Sequence, residues 1–129
     1  MKVKISNYPN WKFYHHWLYD WFGYTPKQCI KVRIDRWDTW SMDHTLAPII
    51  LPMLVQLKAT THGHPSDLTE EEWNDTLDEM IWAFEQKCRD DWMKDYDYNN
   101  WDSEGANAHQ ERMTNGFKLF GKFYESLWD

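Results

Sequence analysis

The stretch "RWDTWSMDHTLAPIILP", residues 36–52, brings together four side chains that could do chemistry: Trp37, Trp40, Asp43 and His44. Indoles three residues apart can stack on a planar ring, a carboxylate can accept from a hydroxyl or amino group, and an imidazole can carry a proton or ligate a metal. Pro48 and Pro52 follow, one helical turn apart. In a helix each proline removes a backbone donor, so the carbonyls of His44 and Pro48 would lose their usual partners beside Asp43. This predicts a site for a polar ligand or a cation at the mouth of an apolar helix. The plainer alternative puts Pro48 in the first helical turn, with Asp43 favouring the positive helix end.

A second group lies on the back of a later helix. Asp75, Asp78, Glu79, Trp82, Gln86 and Arg89 share one stripe, with Glu85 at its edge. Solvation explains the charges but not Trp82. Two functions are therefore open. In the first, the chain binds a small nucleotide-like ligand: Trp37, Trp40 and Trp82 stack on the base, Arg33, Arg36 and Lys31 meet phosphate, and Asp43, His44 and Glu79 supply polar contacts. No cofactor is needed for that role. In the second, Asp43, His44, Asp78, Glu79 and Glu85 hold Mg²⁺ or Mn²⁺ as a metal-dependent nucleotide hydrolase. In composition the stripe resembles the all-α nucleoside-triphosphate pyrophosphatases. Their paired glutamates followed by Glu-x-x-Asp are not reproduced, since Glu71-Glu72 leads to Glu85-Gln-Lys-Cys88. The balance favours binding over catalysis.

Other motifs fall short. Asp95-x-Asp97-x-Asn99 begins like an EF-hand loop, but Asn100 stands where the turn needs glycine and Ala106 where the bidentate glutamate belongs. His62-Gly-His64 is borne on a loop, and His109, on an apolar face, reads as a satisfied core histidine. No glycine-rich phosphate loop or nucleophile motif occurs.

The elements that must position these groups follow from periodicity. "KVKIS" and "CIKVRID" alternate as half-buried strands. Between them "NWKFYHHWLYDWFG" predicts a helix with Trp11, Tyr14, Leu18, Trp21 and Phe22 on one stripe and Gly23 as its C-terminal cap. Asp38 or Ser41 caps a helix running to about Ala59, apolar on nearly every side over residues 46–57 and therefore expected to be central and buried. Thr69 and Glu72 form a capping box, with Leu68 and Trp73 as a hydrophobic staple. That helix carries Trp73, Leu77, Met80, Ile81, Phe84 and Cys88 on one face to about residue 93. A last helix from about residue 106 carries Met113, Phe117, Phe120, Tyr124 and Leu127, with Gly116 and Gly121 permitting close approach. The fold class is α+β, mainly α: a helical bundle around a buried central helix with a small two-stranded sheet, residues 1–129 forming a single domain.

Composition bounds the rest. The chain of 129 residues is 42% hydrophobic, yet its mean hydropathy is −0.85. The apolar content is aromatic: ten Trp, seven Tyr and six Phe. A net charge of −7 argues against a long nucleic acid as partner. The charge is also divided, with residues 1–58 basic and the remainder strongly acidic, so the halves attract each other or line a shared interface. Cys29 and Cys88 give neither a metal spacing nor a disulfide framework, and read as small buried hydrophobes in a reducing compartment. "MKVKIS" lacks an apolar signal region, and the run Leu46–Val55 is too short to span a bilayer, so no membrane partner is expected. An open sheet edge and the aromatic surplus suggest a homo-oligomer.

"WDTWSMDHTLAPIILPML", "LDEMIWAFEQ" and "NGFKLFGKFYESLWD" resemble a family of small tailed-bacteriophage proteins of uncharacterised activity, over most of the chain. The resemblance implies a viral accessory protein in the host bacterial cytoplasm, where such proteins often block or absorb host defence. A third function accordingly stands beside the first two: an inhibitor that covers a basic host defence protein with the acidic C-terminal half.

Overall fold

The computed structural model describes residues 1–6, 12–25, 27–89, 91–96 and 102–128. Trp11, Asp97, Asn99 and Asn100, used above in the helix and EF-hand readings, lie outside the described residues. The mainly α, α+β class holds. By its internal contacts the chain divides into two compact units, Met1–Ser41 and Met42–Asp129. The charge contrast also separates the two units, with seven Lys/Arg against three Asp/Glu in the first unit and seven against eighteen in the second.

In the first unit strand β1 (Lys2–Ile5) pairs antiparallel with β2 (Ile30–Arg33), in the register Lys2↔Arg33, Val3↔Val32, Lys4↔Lys31 and Ile5↔Ile30. Directly paired residues share a face. One face of the ribbon is therefore wholly cationic and the other wholly β-branched. Neither strand is half-buried as the alternation suggested, since every residue of both is exposed. Helix α1 (Phe13–Phe22) ends as predicted, at Gly23 with φ 64°, a left-handed position that glycine adopts without a Cβ penalty. Among the described residues of this unit only His15 is buried.

The second unit contains helices α2 (Met42–Thr60), α3 (Glu70–Arg89) and α4 (Ser103–Lys122). Its core joins Ala47 and Leu54 of α2, Trp73, Leu77, Met80 and Phe84 of α3, and Phe123 just beyond α4. Leu77 and Met80 are fully buried, each contributing about 2 kcal/mol by removal from water. Trp73 meets the Phe123 ring edge-on at 5.5 Å, and Phe84 meets Phe117 and Phe120 at 5.2 Å each.

The central helix is α3, packed by α2 on one side and α4 on the other. The expectation that the proline-bearing helix would be central is thus corrected. Helix α2 lies at one side and buries only Ala47 and Leu54, leaving Leu46, Met53 and Val55 exposed. Its apolar run over residues 46–57 is a poor guide, because side chains can be apolar all round on a helix that is covered on one face only.

Capping defines the start of α3. The Thr69 amide donates to Glu72 Oε2 at 2.8 Å and the Glu72 amide to Thr69 Oγ1 at 3.2 Å, while Leu68 packs against the core cluster that holds Trp73. The helix ends at Arg89 rather than near residue 93, because Trp92–Asp95 turns into a 3-10 helix. Helix α4 begins earlier than expected, at Ser103, since Asp102 accepts from the Gly105 amide and caps it. It ends at Lys122, and a 3-10 turn over Tyr124–Ser126 takes Tyr124 out of the helical register into solvent. Gly116 fulfils its predicted role: an added Cβ would lie 2.4 Å from Ala83 Cβ and 2.7 Å from the Glu79 carbonyl oxygen. Gly121 does not, having nothing within 4 Å of that position. Cys29 and Cys88 are both exposed, correcting their reading as buried hydrophobes.

Candidate functional site

The predicted site residues divide between the units, and each unit positions its own share. In the first, Asp35 caps a short 3-10 helix over Arg36–Thr39. Its Oδ1 accepts from the Arg36 amide at 2.7 Å, and its own amide donates to Asp38 Oδ2 at 2.6 Å. Asp38 is held in turn by the N-terminal ammonium group at 2.9 Å, which ties this turn to the start of β1. Backbone donation at Asp35 and the adjacent ammonium group hold the Asp38 carboxyl below its usual range, so it stays ionised.

This reciprocal capping sets Trp37 and Trp40 one tight turn apart. Their ring centroids are separated by 5.9 Å at an interplanar angle of 50°. Both indoles stand in solvent, 68% and 82% exposed. The Arg36 guanidinium lies 5.6 Å from the Trp37 ring centre. Arg33, at the end of β2, lines a groove of about 270 Å³ with Met1, Lys2 and Asp35. A second, larger groove of about 440 Å³ on the ribbon is lined by Lys2, Lys4, Lys31 and Arg33 together with Val3, Ile30 and Val32. Of the residues assigned to ligand binding, Arg33, Arg36, Trp37 and Trp40 thus belong to one short segment of one unit. The arrangement can stack a planar ring on indole and meet anionic oxygens with guanidinium and ammonium groups.

The second unit holds Asp43, His44, Glu79 and Trp82, and ties the carboxylates to cations at separate places. Asp43, in the first turn of α2, pairs with Lys87 near the end of α3 at 2.6 Å. Asp78 pairs with Lys58 of α2. These two links set α2 antiparallel to α3. Glu79 faces the other way and takes a bidentate bond from Arg112 of α4, at 3.0 and 2.7 Å. The mouth of α2 therefore meets the C-terminal end of α3 rather than the stripe that holds Glu79 and Trp82. Lysine donation lowers the Asp43 carboxyl, and arginine donation lowers that of Glu79. Glu85 is exposed. Among the described residues no group of three or more His, Cys, Asp or Glu side chains gathers closely enough to hold a metal ion.

Trp82 is half-buried and already engaged. The Arg112 guanidinium lies over its ring at 3.9 Å, and His109 meets it at 4.9 Å. His109 in turn stacks on Trp92 at 4.4 Å and 15°, with its Nδ1 bonded to the Tyr96 hydroxyl at 2.8 Å. Burial pushes the His109 imidazole below its usual value and keeps it neutral. Its Nε2 is buried without a partner, as is Gln86 Oε1 on α3, so the reading of His109 as a satisfied core histidine holds for one ring nitrogen. This ladder of Arg112, Trp82, His109 and Trp92 fastens α4 and the 92–95 turn to α3. Sequence reasoning did not find Trp92, Tyr96 or Arg112. The one available signal was the i, i+3 spacing of His109 and Arg112, which puts both on the face turned toward α3.

No family model, curated protein or solved structure matches the chain.

Proposed function

We propose that the chain is a binding protein that captures a small nucleotide-like anion through its first unit. The base stacks on Trp37 or Trp40, and the phosphates meet Arg33 and Arg36, with Lys31 and Lys2 close in the ribbon register. The observation that carries this reading is the pair of indoles held in solvent by a capped turn, with the Arg36 guanidinium beside Trp37. Stacking a base on an aromatic ring is worth about 1–3 kcal/mol in single-strand binders. A pair of tryptophans set on a rigid turn therefore has more to gain from a ligand than from water. Asp43, His44, Glu79 and Trp82 drop out of the proposed contacts, because three of them already serve links within the second unit. A hydrolase built on Asp43, His44, Asp78, Glu79 and Glu85 would first have to break the pairs with Lys87, Lys58 and Arg112.

The resemblance to small tailed-bacteriophage proteins supplies the biological frame of the proposal: a viral accessory protein that sequesters a host defence signal in the bacterial cytoplasm. A second reading, as an inhibitor of a host defence protein, draws on the eighteen Asp/Glu of the second unit, an acidic surface able to cover a basic partner. Titration with cyclic dinucleotides and ADP-ribose, followed by tryptophan emission and melting temperature, separates the two. Quenching and a raised melting temperature that vanish in Trp37→Ala/Trp40→Ala support capture. An unresponsive protein rejects it, and a salt-sensitive complex with a basic host protein then favours the inhibitor.

A further inference from the structure

Helix α1 carries an apolar stripe that the described residues leave largely open, with Leu18 alone half-buried. Phe13, Tyr14, Trp17, Leu18, Trp21 and Phe22 fall within half of its circumference by helical spacing. Phe13 is 90% exposed, Trp21 70% and Phe22 74%. Among the described residues the rings of the stripe associate along the helix itself, Trp17 with Trp21 at 5.7 Å and Phe13 with Tyr14 at 5.5 Å. The opposite half holds His15, His16, Tyr19 and Asp20, so the single acid of the helix is kept off the stripe. Exposed large aromatic side chains gathered on one face of a helix, rather than scattered singly, mark an interaction surface.

We infer that this stripe is a peripheral docking surface for an anionic lipid bilayer, with α1 lying in the plane of the headgroup layer. Two features of this unit select that occupant. The stripe is built from Trp, Tyr and Phe with one leucine, and such rings partition into the interface between headgroup and acyl chain rather than into a dry aliphatic core. The unit that carries it has seven Lys/Arg against three Asp/Glu, complementary to anionic headgroups. A second copy docking by the same surface would oppose two units of net positive charge. At ten residues α1 is about 15 Å long, too short to cross a membrane and suited to lie on one. Among the described residues no helix is long and apolar enough to cross a membrane, so this contact is with one surface. It departs from the expectation of no membrane partner.

The test is co-sedimentation of the whole chain with vesicles of phosphatidylglycerol mixed into phosphatidylcholine, against vesicles of phosphatidylcholine alone. The expected result is pelleting with the anionic vesicles, weakened by added salt. In Trp17→Ala/Trp21→Ala the partition coefficient should fall at least about tenfold, as two interfacial aromatic anchors are lost. Both residues are exposed, so the variant should keep the far-UV circular dichroism and melting temperature of the parent. Failure to pellet, or pelleting that the double variant retains in full, overturns the inference. A concentration-dependent dimer without vesicles, abolished by the same substitutions, overturns it in favour of a second copy.

Discussion

Replacing Gly116 by alanine probes the closest approach in the second unit. The new Cβ would stand 2.4 Å from the Cβ of fully buried Ala83 and 2.7 Å from the Glu79 carbonyl oxygen, where ordinary contact needs about 3.5–4 Å. One neighbour is backbone and the other a side chain with no rotamer to change. Relief therefore requires α3 and α4 to separate by about 1 Å, loosening the contacts of Met80, Met113 and Phe84 along the seam. Overpacking of this kind costs about 1–3 kcal/mol, and the backbone clash puts it at the upper end. The alanine returns about 1 kcal/mol in helix propensity. The net loss is about 2 kcal/mol, or a fall in Tm of about 10 °C for a unit of this size. Thermal unfolding followed by circular dichroism reads it directly. Gly121→Ala is the matched control: it meets nothing within 4 Å on the same helix, so it should raise Tm by a few degrees. A Gly116→Ala variant as stable as the parent would refute the helix crossing.

Thr69→Ala removes the acceptor for the Glu72 amide and should cost about 1 kcal/mol in urea unfolding, with Ser restoring most of it. Arg112→Ala breaks the bidentate bond to Glu79 and the stack on Trp82. Both ionic partners are partly exposed, so the loss should be only about 1–2 kcal/mol, read as a lower urea midpoint. Acid should weaken the second unit in two stages. His109 is held below its ordinary value of 6.5, so the unfolded chain takes up the proton first; its contribution is complete above that value and is lost as pH falls toward the lowered folded one. Glu79 is lowered from 4.5, so its contribution is present above that value and is lost as pH falls through its folded one. In His109→Phe the decline of Tm should begin only in the lower range.

The legible parts of the sequence were those decided by local chemistry. Alternation in "KVKI" and "IKVR" located both strands, Gly23 marked the end of α1, and Thr69 with Glu72 marked the start of α3 to the residue. Burial was less legible. Helix α2 is apolar on nearly every side over residues 46–57, and nothing in a single strand of text says that only Ala47 and Leu54 are fully buried while Ile50, Leu51 and Leu57 pack partly against the core. The carboxylate stripe on α3 was visible by spacing. Its division between Lys58 on one side and Arg112 on the other depends on helices twenty and thirty-three residues away, a tertiary fact that periodicity does not carry. Trp37 and Trp40 were found as a pair because the 3-10 spacing that sets them together is local.

Capture of a nucleotide-like anion by Trp37 and Trp40 is the central proposal. Isothermal titration of the parent chain and of Trp37→Ala/Trp40→Ala with ADP-ribose and a cyclic dinucleotide tests it most directly. Saturable heat in the parent with at least one ligand, absent in the double variant at unchanged melting temperature, is the predicted result. Equal heats in both proteins, or none in either, would contradict it.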